Sequence, residues 1–300
     1  MEFSKIIIVY KKSTYHMYKE KPFFKKLKNK NMLLYDQLVK AHDEHYASVD
    51  LLLKQLEPFK NIMKVHKRGI NRMPTVKPND LVISLGGDGT FIYTSHSIKE
   101  GAILGVNSAP DFSVGHYCRL NVYDKKSSLR NYVEEILSGK RSPQPLSRLQ
   151  FVINEKPVEI PIVNDALLID KNPATTTRYI LKWNEKLSQQ KSSGIWISTA
   201  TGSSAAFSSA GGKRFKQTDN KNLRQFGFVV REMYSHTGDL IRGGMVKEGD
   251  SLEVDFGTIF GQIFIDGGQK QIPLNIGDEI SVRFHPNNLN TFLPGGNKRS

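Results

Sequence analysis

The sequence predicts a two-part fold: an N-terminal parallel α/β domain over residues 1–120, followed by a C-terminal β-sandwich-like domain over 121–300. Three observations carry this. Up to Asn121, apolar runs alternate with stretches of helical periodicity, the pattern of a parallel sheet covered by helices and hence of a Rossmann-like domain. Within that half, the apolar run Asp80-Leu81-Val82-Ile83-Ser84-Leu85 breaks on Gly86-Gly87-Asp88-Gly89 before Thr90-Phe91, which reads as strand, turn and helix. Beyond Asn121 the texture changes to short strand-like runs separated by Asn, Asp, Gly, Pro or Ser.

Taken in order, Ile6 to Tyr10 is a first strand, and the basic, aromatic segment from Lys11 to Lys30 has no clear pattern. Leu34, Leu38, Ala41, Val49, Leu52, Leu53 and Leu56 recur mostly at helical spacing until Pro58 ends the pattern. His42 and His45 on that helix lack a third ligand nearby and are expected at its surface or edge rather than on a metal. Asn61 to His66, Leu81 to Leu85 and Ala102 to Val106 follow as strands, with a helix from Phe91 to Lys99 stopped by Gly101. Ligands of such sheets bind beyond the carboxyl ends of the strands, so the Gly86 to Thr90 and Asn107 to Gly115 loops should converge. A helix spans Ser127 to Ser138. Strands are then expected at 151–153, 158–163, 166–169, 179–183, 195–198, 252–256, 262–265 and 280–284. The tail from His285 to Ser300 has little pattern and is expected to be loose or to pack back on the N-terminal domain.

Three hundred residues, 38% hydrophobic and 24% charged, describe a soluble globular chain and exclude disorder or a collagen-like fibre. No stretch reaches the ~20 apolar residues of a membrane helix, and Met1 to Lys5 leads straight into a strand, without room for a targeting peptide. The single cysteine, Cys118, can form no internal disulfide and no thiolate zinc site, which fits a cytoplasmic protein. Forty-three Lys and Arg against 29 Asp and Glu give a net charge of +14 and point to an anionic partner. The runs Lys11-Lys12, Lys25 to Lys30, Lys125-Lys126 and Lys298-Arg299 read first as solvated surface.

Four stretches carry chemistry. Glycines at 86, 87 and 89 bring backbone N–H groups close to a ligand, and a helix N-terminus favours anionic oxygens, so the turn suits a phosphate. Asp88 can hold Mg²⁺ or take a proton from an attacking hydroxyl, and Thr90 adds a hydroxyl; Asp88 as a plain N-cap is the alternative. Asn164-Asp165 pairs a donor with an acceptor, as the two hydroxyls of a ribose require, and is also an ordinary turn sequence. Lys191 to Gly212 is a strand entering a small, hydroxyl-rich turn on which a base or sugar can lie close to backbone. Phe264 to Gln269 reads as a hairpin loop whose Gln269 could reach a ligand.

In this order the four stretches resemble the ATP-NAD kinases, over most of the chain. The glycine turn is shared with lipid kinases and phosphofructokinases; the long turn from Ser198 to Gly212 is the specific part. The family's Glu is Asp165 here, its Asp before Gly194 is Ser193, and its Thr-Ala-Tyr is Ser204-Ala205-Ala206. Ser193 in its Lys-Ser-Ser-Gly setting, with Val106-Asn107-Ser108 and Arg231-Glu232, is similar to the divergent branch that includes the mitochondrial enzymes; a paralogue with a changed acceptor is the other explanation. The resemblance implies transfer of a phosphoryl group from ATP or polyphosphate, with Mg²⁺, to the 2′-hydroxyl of the adenosine ribose of NAD. It makes Asp88 the base, gives Gly86, Gly87, Gly89 and Thr90 to the donor side, and adds Asn107 as a substrate-binding residue. Asn164 and Asp165 would hold a ribose, and Thr201, Ser204, Ala205, Ala206 and Ser209 the adenosine side. Arg178, Lys191 and Ser193 would serve the nicotinamide or phosphate side, and Gln269 the late loop, in a site between the two domains. It also implies a homodimer or homotetramer. A diacylglycerol or sphingosine kinase should meet a membrane, yet no basic amphipathic stripe stands out. A nucleic-acid-binding protein would rest on charge alone, since no zinc finger, basic zipper or aromatic RNA-binding motif is present.

Overall fold

Runs that are apolar on both faces become buried parallel strands, and runs that alternate become sandwich strands. The computed structural model describes residues 3–69, 73–124, 128–216, 224–234 and 240–294. The Lys125-Lys126 and Lys298-Arg299 runs lie outside the described residues. Two units divide the chain, Met1–Gln144 with Leu289–Ser300, and Pro145–Asn288.

The first unit contains β1 (Lys5–Tyr10), three short helices α1 (Thr14–Tyr18), α2 (Pro22–Lys25) and α3 (Leu27–Lys30), and the long α4 (Met32–Gln55). It continues with β2 (Met63–Lys67), β3 (Asp80–Gly86), α5 (Asp88–Ser95), β4 (Ala102–Asn107), β5 (Leu120–Asn121), α6 (Leu129–Leu137) and β6 (Gln144–Leu146). Helix α4 starts where the Asn31 side chain accepts the Leu34 N–H at 3.0 Å, an N-cap bond. β3 and β4 are buried at every position, as a parallel strand covered on both faces must be. The sheet order is β2-β1-β3-β4, with β1 parallel to β2 and β3, and β3 parallel to β4. Ile6, Ile8, Leu81, Ile83, Leu104 and Val106 share one core with Val49 and Leu52 of α4 and Val133 and Ile136 of α6.

That shared core moves the division. The sequence reading placed it near Asn121, but α6 buries Leu129, Tyr132, Val133 and Ile136 in the first unit, so the break comes after Gln144.

The second unit holds β7 (Leu149–Ile153), β8 (Lys156–Pro157), β9 (Asp165–Asp170), β10 (Thr177–Trp183), β11 (Lys186–Ser192), β12 (Ile195–Ser198) and α7 (Ala206–Ser209). β13 (Gln225–Val230), β14 (Gly243–Lys247), β15 (Leu252–Phe256), β16 (Phe260–Ile265), β17 (Lys270–Asn275) and β18 (Glu279–Phe284) complete it. They form two six-stranded antiparallel sheets, β11-β10-β15-β18-β7-β8 and β14-β13-β12-β9-β16-β17. Phe151, Leu181 and Val254 of one meet Leu168, Ile197, Phe228 and Ile263 of the other in a single core, as in a sandwich. The chain then returns to the first sheet as β19 (Leu289–Phe292), parallel to β4, while residues 295–300 of the tail lie outside the described residues.

Two expectations are corrected. No strand runs over 158–163: apart from an isolated bridge between Ile162 and Leu149, the segment is irregular, Pro161 has no N–H to give, and the Val163 N–H goes to a side chain. β11, by contrast, is a strand that hydrophobicity concealed, because its inward residues Ser188, Gln190 and Ser192 are polar. They are satisfied by one another, by Tyr179 and by the Ile241 carbonyl.

Candidate active site

The glycine turn joins β3 to α5, and the structure gives each residue a separate task. A Cβ on Gly86 would lie 2.4 Å from Thr90 Oγ1, so only glycine lets the helix start there. Gly87 is extended at φ −98°, and a Cβ on it would meet only Ser113 Oγ at 3.8 Å. The fold does not need glycine at 87; the bare backbone leaves the space above the turn open. Gly89 is exposed, and Thr90 is buried with no hydrogen-bond partner for Oγ1 among the described residues. The N–H groups of Thr90 and Phe91 donate to the Gly87 carbonyl at 2.8 and 3.2 Å.

Asp88 is the first helical residue and not the cap, a position Gly87 occupies without a side-chain bond. Its carboxylate is held from another loop: the His116 N–H donates to Oδ2 at 2.8 Å, and the Tyr117 and Cys118 N–H groups to Oδ1 at 2.8 and 3.4 Å. That loop comes close because a Cβ on Gly115 would lie 2.1 Å from the Cys118 carbonyl oxygen and one on Gly105 2.6 Å from that of Tyr117. The Tyr117 ring stacks on Phe91 of α5 at 4.6 Å and 3°. The two loops thus converge as expected within this unit, with Ser108 N–H donating to the Gly86 carbonyl at 3.3 Å. Asn107 shapes its own loop: its Nδ2 donates to Ser113 O at 2.8 Å, and its Oδ1 accepts from Ala109 N–H and Ser113 Oγ–H.

In the second unit three of the singled-out stretches meet. Ser198 at the end of β12 pairs with Asp165 at the start of β9, and Ala166 pairs with Ile265 at the end of β16, so three loops leave one edge of the sheet together. Asp266 binds them. Its carboxylate accepts the N–H groups of Val163, Asn164 and Asp165 at 3.1, 2.6 and 3.2 Å, while its own N–H donates to the Asp165 carbonyl. Thr199 clamps the other side, its N–H donating to Asn164 O at 2.9 Å and its Oγ1–H to Val163 O at 2.7 Å. The Gly202 N–H donates to Thr199 Oγ1 at 3.1 Å, and a Cβ on Gly202 would sit 2.1 Å from Asn164 O.

Asp165 is 4% exposed, and burial first and the charge of Asp266 second push its carboxyl up to about 7. Thr201 follows this clamp, Ser204 and Ala205 are exposed beyond it, and Ala206 to Ser209 form α7, anchored by the buried Phe207. Gly212, at the end of the long turn, makes room for that ring: a Cβ there would lie 2.3 Å from it.

Arg178, Lys191 and Ser193 are placed elsewhere. Arg178 and Lys191 pair across β10 and β11, and Ser193 precedes the opposite end of β12 from Ser198. A groove of about 740 Å³ passes Arg178 and Lys191 between the strand ends. Gln269 lies in the loop after Asp266, half-buried. Sequence reasoning named that loop as an Asp and Gln loop but gave a role only to Gln269; the available signal for Asp266 was a carboxylate directly before paired glycines. It also placed His45 at the surface, whereas His45 is 1% exposed and bridges two loops. Among the described residues no group of three or more His, Cys, Asp or Glu is arranged to hold a metal ion.

No family model matches the chain. It is 31% identical over 246 residues to an NADH kinase of Arabidopsis thaliana, covering 74% of this chain and 75% of that protein. An NAD kinase of Prosthecochloris aestuarii is 36% identical over 214 residues, 70% of this chain and 67% of that one. Among solved structures, an NAD kinase from Archaeoglobus fulgidus in complex with ATP superimposes with a TM-score of 0.66 at 15% identity, over 96% of this chain and 93% of that chain. Yeast NADH kinase complexed with NADH does so at 0.68 and 15%, over 98% and 84%. These two show the α/β-plus-sandwich fold.

Proposed function

The chain belongs to the NAD kinase family and is a phosphotransferase, and on that premise we propose that it moves the terminal phosphoryl group of ATP to the 2′-hydroxyl of the adenosine ribose of NAD or NADH. The observation that carries the reading is the carboxylate of Asp88, fixed by three backbone N–H groups at the start of the helix that follows the glycine turn.

A ribose hydroxyl is a very weak acid, so its proton leaves late, to a base already in place. Asp88 offers such a base on a rigid element and needs no reorganisation. The open backbone at Gly87 and the N–H groups of Asp88 and Gly89, which precede the first intrahelical bonds, suit the oxygens of the transferring group. One carboxylate at the turn is too few for a metal cage but enough for Mg²⁺ arriving on the donor's phosphates, where Asp88 would be its protein neighbour and the ion would supply charge neutralisation. In the second unit, Asn164 and Asp165 are the ribose-binding pair, held in register by Asp266 and Thr199. We assign Thr201, Ser204, Ala205, Ala206 and Ser209 to the adenosine side, with Arg178, Lys191, Ser193 and Gln269 as further contacts of the dinucleotide.

We further propose a homo-oligomer in a reducing cytoplasm. Exposed Leu187, Ile259, Phe260 and Ile276 offer apolar surface to a second copy, and Cys118 is a lone buried thiol. No helix among the described residues is long and apolar enough to cross a membrane. The test mixes purified protein with Mg-ATP and either NAD or NADH, and measures the 2′-phosphorylated product enzymatically, with inorganic polyphosphate as a second donor and diacylglycerol as a second acceptor. Phosphorylation of the lipid alone would overturn the reading.

A further inference from the structure

The pair Lys11-Lys12 reads in the sequence as solvated surface, yet Lys11 is half-buried at the functional edge of the first sheet. In the parallel register Tyr10 of β1 lies opposite Lys67 of β2 and Leu85 of β3, while Gly86 lies opposite Asn107 of β4. One residue further along, Arg68, Lys11, Gly86 and Asn107 form a single row across the carboxyl ends of four strands, at a strand spacing of about 4.8 Å. The two cations therefore continue the row of the glycine turn on the side away from Asn107.

The row is held rigidly. The Arg68 N–H donates to Tyr10 O at 2.8 Å, and the Ser108 N–H to Gly86 O at 3.3 Å. His45 bridges Lys11 and the residue that follows Asn107: Nε2–H donates to Lys11 O at 2.9 Å, which leaves Nδ1 to accept the Ser108 hydroxyl at 2.7 Å. Burial pushes His45 down to about 4, which keeps this neutral form through the physiological range. The Arg68 guanidinium lies 3.6 Å from the centroid of Tyr93, a residue of α5, the helix that Asp88 begins. Lys11 Nζ makes no ion pair or hydrogen bond with any described residue. Its charge and that of Asp88 both act on the Cys118 thiol, which places the ammonium near the loop that grips Asp88.

A half-buried ammonium beside a guanidinium costs the unliganded fold: burial, then the Arg68 charge, lowers the pKa of Lys11. An anion spanning both cations would reverse that cost. An Arg fork and a Lys point charge one strand apart match successive groups of a phosphate chain better than a single carboxylate.

We propose that Lys11 and Arg68 bind the phosphate chain of the phosphoryl donor, which runs from the glycine turn across β1 toward β2. This rests on the donor reading of that turn. The chemistry is common to a nucleoside triphosphate and to inorganic polyphosphate, so both are probed.

Thermal unfolding with ATP or inorganic triphosphate, and steady-state kinetics with Mg-ATP and NAD, test it on Lys11→Met and Lys11→Arg. In Lys11→Met the midpoint without ligand should hold or rise, because an unpaired buried charge has gone, while the shift produced by triphosphate shrinks. KM for ATP should rise about tenfold, one charge-assisted contact, with KM for NAD changed by less than about twofold, and Lys11→Arg should restore most of the loss. A triphosphate shift and an ATP KM equal to wild type overturn the proposal. So does a lowered unliganded midpoint with an unaltered triphosphate shift, the signature of a structural lysine. A triphosphate shift present in wild type and lost in Lys11→Met, with no dinucleotide phosphorylated by wild type, would leave this proposal standing and remove the acceptor assignment. A shift with ATP and none with inorganic triphosphate would make the nucleoside the recognised part and overturn it.

Discussion

Asp88 and Asp165 are carboxylates placed in opposite ways. Asp88 has about four acceptor positions, of which three backbone N–H groups take up to three, leaving room for one hydroxyl. In Asp88→Asn one of the N–H donors would face an amide NH₂, a local cost, while the base is gone. We expect kcat to fall by about 100- to 10,000-fold, the usual worth of a general base, with a cooperative melt by circular dichroism retained. Turnover near wild type would remove the assignment.

Asp165 instead sits buried beside Asp266, with its carboxyl raised to about 7. In the unfolded chain it titrates near 3.8, the ordinary value for an aspartate, so between about 4 and about 7 the folded state binds more protons than the unfolded one. The contribution of Asp165 to stability therefore falls as pH rises across that window and is constant above it. Asp165→Asn removes this loss, so its midpoint relative to wild type should be higher at pH 8 than at pH 4.5. If the ionised carboxylate accepts from a ribose diol, KM for NAD should fall from pH 6 to pH 8 in wild type and stay flat in Asp165→Asn.

At the scale of elements, both halves of the proposed site rest on a loop brought near by glycine and fixed by a carboxylate. The 115–118 turn grips Asp88, and Asp266 grips the 163–165 segment. A Cβ on Gly115 would meet the Cys118 carbonyl at 2.1 Å, and backbone cannot yield as a side chain can. Gly115→Ala should therefore shift the N–H groups of His116 and Tyr117, lowering kcat more than it raises either KM and costing about 1–3 kcal/mol in urea melts. An unchanged kcat would show that this turn does not position the carboxylate.

At the scale of the molecule, the first unit is completed by a strand that follows the second unit in the sequence. β19 lies beside β4 in the first sheet, and Phe292 is 2% exposed, in edge contact with Phe3 at 6.0 Å between centroids. Phe292→Ala should destabilise the protein by about 3–5 kcal/mol, the cost of emptying a core aromatic site, whereas a loose tail would register within about 0.5 kcal/mol.

Much of this was legible in order of contrast. The run before Gly86 is apolar at nearly every position, so strand, turn and helix could be read directly, and the hydroxyl-rich stretch to Gly212 identified the family. Elements built from polar residues were not legible. β11 gains its place only once Tyr179 and Ile241, distant in sequence, satisfy Gln190.

By itself the sequence determined the two fold classes, the strand, turn and helix around Gly86 and the family, because periodicity and turn chemistry act over a few residues at a time. Tertiary structure alone decided that α6 and β19 join the first unit, that Asp88 is gripped by a loop and not spent as a cap, that Asp266 holds the backbone of Asn164 and Asp165, and that Lys11 stands in line with Gly86. Those are matters of register and of backbone donors meeting side chains far along the chain, and no local pattern encodes them.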